Sequence, residues 1–356
     1  MLNMMKYLRL LLLPFSALYG IVVVCRNKCY DIGLFKSASF DLPVICVGNL
    51  VVGGSGKSPV TEYLVHLLKD YKIAILSRGY GRKTSGFILA DENATAQTIG
   101  DEPMQFYRKF SHVTVAVCED RVEGINRLKE NHDLVILDDA YQHRKVKPGF
   151  SILLFEYQKL LSRQFLLPAG NLREPFDGYK RAQALLVTKA PVQSAVIDRD
   201  TCKKKFGNMP AGGLSFSFIT YGNLKHLFSG VERSCDAIKT GTKVFLLTGI
   251  ANPAPLLEHL KGYSEHIVHH NYPDHYQFSR QNIVQLVKVF QSEGSKESII
   301  ITTEKDAQRL LAVTLKELLL NLPVFYLPIK IELQEKDKAT FDQKILNYVS
   351  GTTRNR

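Results

Sequence analysis

Val44-Ile45-Cys46-Val47-Gly48-Asn49-Leu50-Val51-Val52-Gly53-Gly54-Ser55-Gly56-Lys57-Ser58-Pro59 decides the fold, because an apolar strand runs into a glycine-rich turn and out onto a helix. The helix shows in Val60, Tyr63, Leu64, Leu67 and Leu68, which share one face, with Pro59 suited to a first turn. Strand, glycine turn and helix in that order make a phosphate cradle. Backbone N–H groups converge on the anion, the helix start adds partial positive charge, Lys57 adds a full one and the Ser58 hydroxyl completes a magnesium shell. Gly53, Gly54, Ser55, Gly56, Lys57, Ser58 and Pro59 are thus the residues expected to bind a nucleoside triphosphate. The usual spacing would put glycine at position 51, where this chain has Val51, so Gly53 and Gly54 are expected to carry the bend.

Downstream, Leu134-Val135-Ile136-Leu137-Asp138-Asp139-Ala140-Tyr141-Gln142-His143-Arg144 is an apolar strand ending in two carboxylates. Taken alone, such a pair is a turn or a helix cap. Behind a phosphate loop, Asp138 and Asp139 become magnesium ligands together with Ser58, because a hard divalent cation bridging two phosphates wants oxygen donors. His143 and Arg144 fit loop structure, and Arg144 also suits phosphate oxygens. In Gly100-Asp101-Glu102-Pro103, capping of a helix over Met104 to Phe110 competes with a sharper role, in which Asp101 orients and deprotonates an attacking hydroxyl. The stretch His269-His270-Asn271-Tyr272-Pro273-Asp274-His275-Tyr276-Gln277-Phe278 is expected to be a loop. A magnesium site has no need of imidazole ligands. His275 is therefore cast as a partner that raises the basicity of Asp101 or steadies the hydroxyl, against a plain surface loop.

Two basic turns, Ser77 to Lys83 with Arg78 and Arg82, and Leu167 to Pro175 with Arg173 and Glu174, place guanidinium groups on glycine-containing loops. They fit phosphate recognition and equally fit solvated loops, the simpler reading of the residues alone. Thr303-Glu304-Lys305-Asp306 reads as a helix cap, with recognition of a base as the alternative.

Short apolar runs at Pro43 to Val47, Ile73 to Leu76, Val113 to Val117, Leu134 to Leu137, Ser151 to Phe155 and Ala184 to Val187 alternate with helical patterns, which predicts a mostly parallel sheet of the P-loop NTPase type. Residues 191–242 are more polar and read as a lobe junction. A second series at Val244 to Leu247, Ser298 to Ile301 and Val324 to Leu327 predicts a smaller α/β lobe. The boundaries expected are an anchor over 1–30, a P-loop domain over 36–222 and a small lobe over 223–350, with a frayed tail from about Gly351.

The 356 residues, 45% of them hydrophobic, suffice for two cores, and a formal net charge of +12 favours anionic partners. Nucleic acid is disfavoured, since basic and aromatic residues do not interleave. Cys25, Cys29, Cys46, Cys118, Cys202 and Cys235 contain no C-x-x-C pair and read as reduced thiols, mostly in apolar runs, which suits the cytosol. Leu10 to Cys25 carries no charge and has Lys6 and Arg9 before it and Arg26 and Lys28 after it. That pattern is a membrane element with flanks suited to anionic headgroups. Its length falls short of the about 20 residues a spanning helix needs, so a shallow or tilted anchor competes with a full span, and a buried helix is the bland alternative. A cleaved signal peptide is disfavoured because small residues do not gather before a cleavage point.

Taken together, GNLVVGGSGKSP, LSRGYGR, GDEP, LDDAYQHR, LPAGNLREP, PDHYQF and TTEKD, in this order over about residues 40 to 310, resemble the tetraacyldisaccharide 4'-kinase family, the lipid A 4'-kinases. The resemblance implies transfer of the ATP γ-phosphoryl group to the 4'-hydroxyl of a tetraacylated glucosamine disaccharide 1-phosphate, giving lipid IVA. It implies a monomer anchored on the bacterial inner membrane, its site facing the cytoplasm. It further implies Lys57 and Ser58 on phosphate and magnesium, Asp138 and Asp139 on the metal, and Asp101 with His275 as base pair. Arg78, Arg82, Gln142, His143, Arg173 and Glu174 become substrate-side candidates. Ala140-Tyr141 and Tyr276 depart from the family's commoner residues, away from any proposed ligand. A membrane-associated P-loop ATPase or GTPase that switches to insert a metal or assemble a partner is the competing class, and it would leave GDEP and PDHY without a task.

Overall fold

Strands that are apolar at every position need cover on both faces, and that requirement sets the architecture. A computed structural model of the chain describes residues 9–353 except 208, 211, 212 and 240. The first lobe supplies β1 (Val44–Asn49), β2 (Ile73–Ser77), β3 (Ile88–Leu89), β4 (Thr114–Val117), β5 (Leu134–Asp138), β6 (Phe150–Glu156), β7 (Ala184–Thr188) and β8 (Leu214–Tyr221). The second supplies β9 (Leu224–His226), β10 (Glu232–Arg233), β11 (Val244–Thr248), β12 (Ile267–Asn271), β13 (Ile299–Thr303) and β14 (Val324–Leu327), and β15 (Ile329–Leu333) ends the series. The large sheet runs β15-β8-β7-β6-β1-β5-β2-β4-β3 and the small one β10-β9-β14-β13-β11-β12.

In the large sheet every pairing from β8 to β4 is parallel, and only the edge strands β15 and β3 run antiparallel. Along β1, Val44 and Cys46 join one apolar layer and Ile45 and Val47 the other, so each face of the strand is covered. Each such fully buried aliphatic side chain contributes about 1.5–3 kcal/mol relative to exposure. The strand order turns around at β1, which lies between β5 and β6. In open α/β sheets the crevice at the carboxyl end of such a point is where ligands bind.

Both strand series fall where the apolar runs place them, but the domain boundaries differ from the expected ones. Leu214 to Phe218, expected in a lobe junction, is part of β8 in the large sheet. The chain leaves the small lobe after β14, pairs β15 with β8, and sends helix Glu335–Thr353 back across the first lobe. Its stripe Phe341, Ile345 and Val349 packs in the same layer as Ile45 and Val47. This helix includes Gly351, where a frayed tail was expected. The small lobe is therefore an insertion between β8 and β15.

The N-terminal apolar run is helical over Leu13–Asp31, with Ser16, Gly20 and Val23 turned inward and Phe15, Leu18, Ile21 and Val22 exposed. Among the described residues, no helix is long and apolar enough to cross a membrane. Residues 1–8 of the expected anchor, Lys6 included, lie outside the described residues. Of the cysteines, Cys46, Cys118, Cys202 and Cys235 are buried and all six are free thiols. Burial and the nearby Asp139 charge push Cys46 up to about 12, so it stays protonated.

Candidate active site

Gly53 and Gly56 take the left-handed backbone, φ 103° and 84°, so the bend rests on these two rather than on Gly53 and Gly54. Helix Lys57–Leu67 follows, and its first turn leaves amides without intrahelical partners, pointing out of the loop. The loop is held from outside: Thr188 Oγ1 donates to the Ser55 carbonyl (2.8 Å) and Lys189 Nζ to the Gly54 carbonyl (2.6 Å). Asn49 Nδ2 donates to Ser55 Oγ (2.6 Å). Nothing lies within 4 Å of where a side chain on Gly53 or Gly54 would start, so the cradle is open on that side. Gly48 is needed for the opposite reason, since a Cβ there would come within 2.5 Å of Tyr141 Cβ.

The carboxylates at the end of β5 stand beside this loop. Asp139, at φ 49°, pairs with Lys57 Nζ (3.4 Å) and with Arg173 Nη1 (3.1 Å). Asp138 is buried and accepts from Ser77 Oγ (3.2 Å) and more loosely from Thr61 Oγ1 (3.5 Å). Burial, then the Asp139 charge, push Asp138 up to about 7 against the pull of Lys57. A divalent cation would reverse that pressure. Ser58, Asp138 and Asp139 are all oxygen donors, which fits magnesium. Among the described residues no three His, Cys, Asp or Glu gather into a metal site of their own, so an ion here would complete its shell with phosphate oxygens and water.

A second cluster forms across the lobes. Gly100, at φ 95°, turns the chain into helix Asp101–Lys109, putting Asp101 at its start. Asp101 Oδ2 lies 3.3 Å from His275 Nδ1 and accepts from Arg309 Nη2 (2.6 Å) and Nε (3.1 Å). Arg309 is itself buried and also donates to Asp306 Oδ1 (2.7 Å) and to the Gly249 carbonyl (3.2 Å). Lys305 Nζ reaches His275 Nε2 (3.0 Å) and Glu102 Oε1 (2.9 Å). Burial opposes ionisation of Asp101, but the His275 and Arg309 hydrogen bonds, with the Arg309 and Lys305 charges, outweigh it and hold the carboxyl at about 2. His275 thus lowers the basicity of Asp101, which runs against the first of its two expected roles and leaves the second, steadying the hydroxyl, as its place in the site. The Glu102 charge acts on Asp138, so the two clusters share one electrostatic field.

Below the second cluster, Lys109 Nζ bridges Glu62 Oε2 (2.7 Å) and Glu304 Oε2 (3.0 Å). This ties the phosphate-loop helix to the small lobe. Burial is the largest influence on Glu62 and, with the Glu304 charge, pushes it up to about 7 despite Lys109.

Other predicted residues take bracing positions. Arg82 Nη2 donates to Glu119 and to the Gly86 carbonyl, which holds its own loop together. Arg144 pairs with Asp31 (2.7 Å) at the end of the N-terminal helix. Gln142 Nε2 donates to the Asn49 carbonyl (2.8 Å) and to Glu174 Oε1 (3.0 Å), joining β1 to the 166–174 loop. Burial, then the Arg121 charge, lower His143 to about 4, so it is neutral. Arg78 is exposed and its charge acts on Arg121 and His143. His269 and His270 lie on β12, apart from the loop that carries His275. Thr303 caps the helix after β13 by accepting from Asp306 N (3.0 Å), as its residues suggest. Thr188, Lys189, buried Arg121, Lys305 and Arg309 were not singled out in the sequence. Lys305 lies inside the quoted TTEKD motif and Arg309 one turn beyond it, which was the only available hint.

With this geometry in place, comparison with known proteins is informative. A family model described as tetraacyldisaccharide-1-P 4'-kinase matches residues 8–350. A tetraacyldisaccharide 4'-kinase of Bacteroides thetaiotaomicron is 44% identical over 357 residues, covering 97% of this chain and 94% of the relative. One from Flavobacterium psychrophilum is 44% identical over 358 residues, covering 99% and 100%. Among solved structures, the "apo" form of LpxK from Aquifex aeolicus in complex with ATP superimposes with a TM-score of 0.74 at 31% identity, covering 95% of this chain and 99% of that one. The matched span takes in both lobes: the chain belongs to the tetraacyldisaccharide-1-P 4'-kinase family.

Proposed function

We propose that the protein transfers the γ-phosphoryl group of ATP to the 4'-hydroxyl of a tetraacyldisaccharide 1-phosphate, forming lipid IVA for lipid A. The observation that carries this reading is the presence of a phosphate pole (Lys57, Asp139, Arg173) and a separate acceptor pole (Asp101, His275), linked by the charge of Glu102 acting on Asp138. A nucleotide switch needs only the first. The loop amides, Lys57 and Ser58 grip the β- and γ-phosphates, and Asp138 with Asp139 and Ser58 would hold magnesium. Bound there, magnesium neutralises charge spreading over the phosphoryl oxygens. Arg173 keeps Asp139 turned toward Lys57.

At the acceptor pole, His275 and Arg309 all bond to Oδ2 of Asp101, which leaves Oδ1 for the hydroxyl. In a loose phosphoryl-transfer transition state little bond to the attacking oxygen has formed and its proton leaves late, so a weakly basic carboxylate that orients the hydroxyl suffices. The proton then passes to the Asp101–His275 pair. The exposed apolar face of the N-terminal helix, with Phe15, Leu18 and Val22, would rest on an anionic inner-membrane surface on the cytoplasmic side. The test is phosphate transfer from labelled ATP to tetraacyldisaccharide 1-phosphate by solubilised full-length protein. Transfer that needs both ATP and magnesium is expected, and hydrolysis that ignores the lipid acceptor would reject the reading.

A further inference from the structure

The inward stripe of the N-terminal helix is polar where an anchor has no need to be. Ser16 Oγ donates to the Leu166 carbonyl (3.0 Å) and accepts from Ala169 N (2.9 Å). Tyr19 OH donates to the Arg173 carbonyl (2.6 Å), and Asn27 Nδ2 to Glu174 Oε2 (3.1 Å). Ahead of the helix, Arg9 Nη2 donates to the Gly170 carbonyl (2.9 Å) and to Asn171 Oδ1 (3.1 Å). Between these bonds Gly20 lets the helix press on the loop, since a Cβ there would stand 2.8 Å from Leu166 Cδ1. The far side of the same loop is bonded to the phosphate loop's approach: Arg173 N donates to the Leu50 carbonyl (2.7 Å) and Val52 N to the Asn171 carbonyl (2.8 Å). The 166–174 segment is thus clamped between the helix and the exit of β1, and its one guanidinium on Asp139 is Arg173.

We propose that this stripe is a positioning element for phosphoryl transfer: Ser16 and Tyr19 fix the 166–174 loop so that Arg173 holds Asp139 against Lys57. An arginine carried on a loop is placed only as well as its backbone, and a misplacement of about 1 Å at a reacting centre can cost about a hundredfold in rate. The same helix turns Phe15, Leu18 and Val22 outward, so its two faces do separable work. Neither Ser16 nor Tyr19 touches the reacting atoms; both act through Arg173.

The inference rests on the kinase reading, and the experiment separates their failures. Full-length variants are assayed in detergent micelles with ATP, magnesium and tetraacyldisaccharide 1-phosphate, so that membrane attachment is not limiting. Tyr19→Phe and Ser16→Ala are each expected to lower kcat about five- to tenfold, as for a lost hydrogen bond, with KM for ATP and lipid changed less than about twofold. In an Arg173→Ala background, Tyr19→Phe is expected to add no further loss, because the side chain it positions is gone. Val313→Ser, at an exposed position of the small lobe, is expected to keep the wild-type kcat. Wild-type kcat in both inner-face variants, a rise in lipid KM alone, or a loss that multiplies onto Arg173→Ala would each overturn the proposal. Should Tyr19→Phe not fold, Ser16→Ala decides alone. A wild-type protein that transfers no phosphate overturns the kinase reading instead.

Discussion

The proposed phosphate pole and the proposed acceptor pole are built differently. The first comes from loops at the carboxyl edge of one sheet, where β1 and β5 are neighbours and β7 lies beyond β6. The second joins Asp101 of the large lobe to His275 and Arg309 of the small one, 174 and 208 residues away along the chain. On the proposed reading, phosphate binding belongs to one lobe, whereas acceptor activation needs two lobes to meet. The difference suits a kinase, since ATP can be held before the hydroxyl is engaged and closure of the lobes would then exclude water from the phosphoryl group.

The largest expected effect divides the poles outright. Asp101→Ala should lower kcat by about 10³ while ATP affinity measured by calorimetry stays near wild type, and Lys57→Ala should lose both. Equal loss of ATP affinity in the two variants would dissolve the distinction. Next, Arg309→Ala removes the buried partner of Asp101 and Asp306, which should cost about 3–5 kcal/mol of stability and show as a large fall in the thermal midpoint. Arg309→Lys should recover part of it; if neither variant loses stability, the lobe contact is not held as described. Asp139→Asn keeps a side chain that tolerates the left-handed backbone and removes only charge, so about a 10–100-fold loss in magnesium-dependent turnover is expected with the fold intact. The smallest effect concerns the bridge between the lobes. Glu62 sits at about 7 in the folded chain against an ordinary 4.5, so between those values the folded protein keeps a proton that the unfolded one has released. Stability of the nucleotide-free protein should therefore fall as pH rises through this window, and Glu62→Gln should flatten the slope in thermal midpoints taken from pH 5 to 8. An unchanged slope would move the burden to Asp138, which is shifted in the same direction.

Sequence legibility follows the same divide. The phosphate loop, Asp138 and Asp139 were readable because cradle and metal chemistry are written in contiguous residues at strand ends. The residues alone already suggested His275 as partner of Asp101, but not the low basicity of that carboxylate, which depends also on Arg309 approaching from another lobe. Arg82 and Arg173 look alike on paper, each an arginine on a loop near a glycine. Only the fold gives one of them to Glu119 and the other to Asp139. The stripe Phe341, Ile345 and Val349 is visible at helical spacing, yet nothing local tells which sheet it covers. The inner polar face of the N-terminal helix escaped notice because a serine and a tyrosine in an apolar run do not disturb its hydropathy.

The returning strand β15 has a mechanical consequence. Polypeptide enters the small lobe next to where it leaves: Tyr221 is paired with Ile329, and Gly222 N donates to the Pro328 carbonyl (2.9 Å). A flap tied by two adjacent ribbons can swing about the line joining them but cannot twist freely. His275, Lys305 and Arg309 would then arrive at Asp101 in a single stroke, as teeth on one jaw.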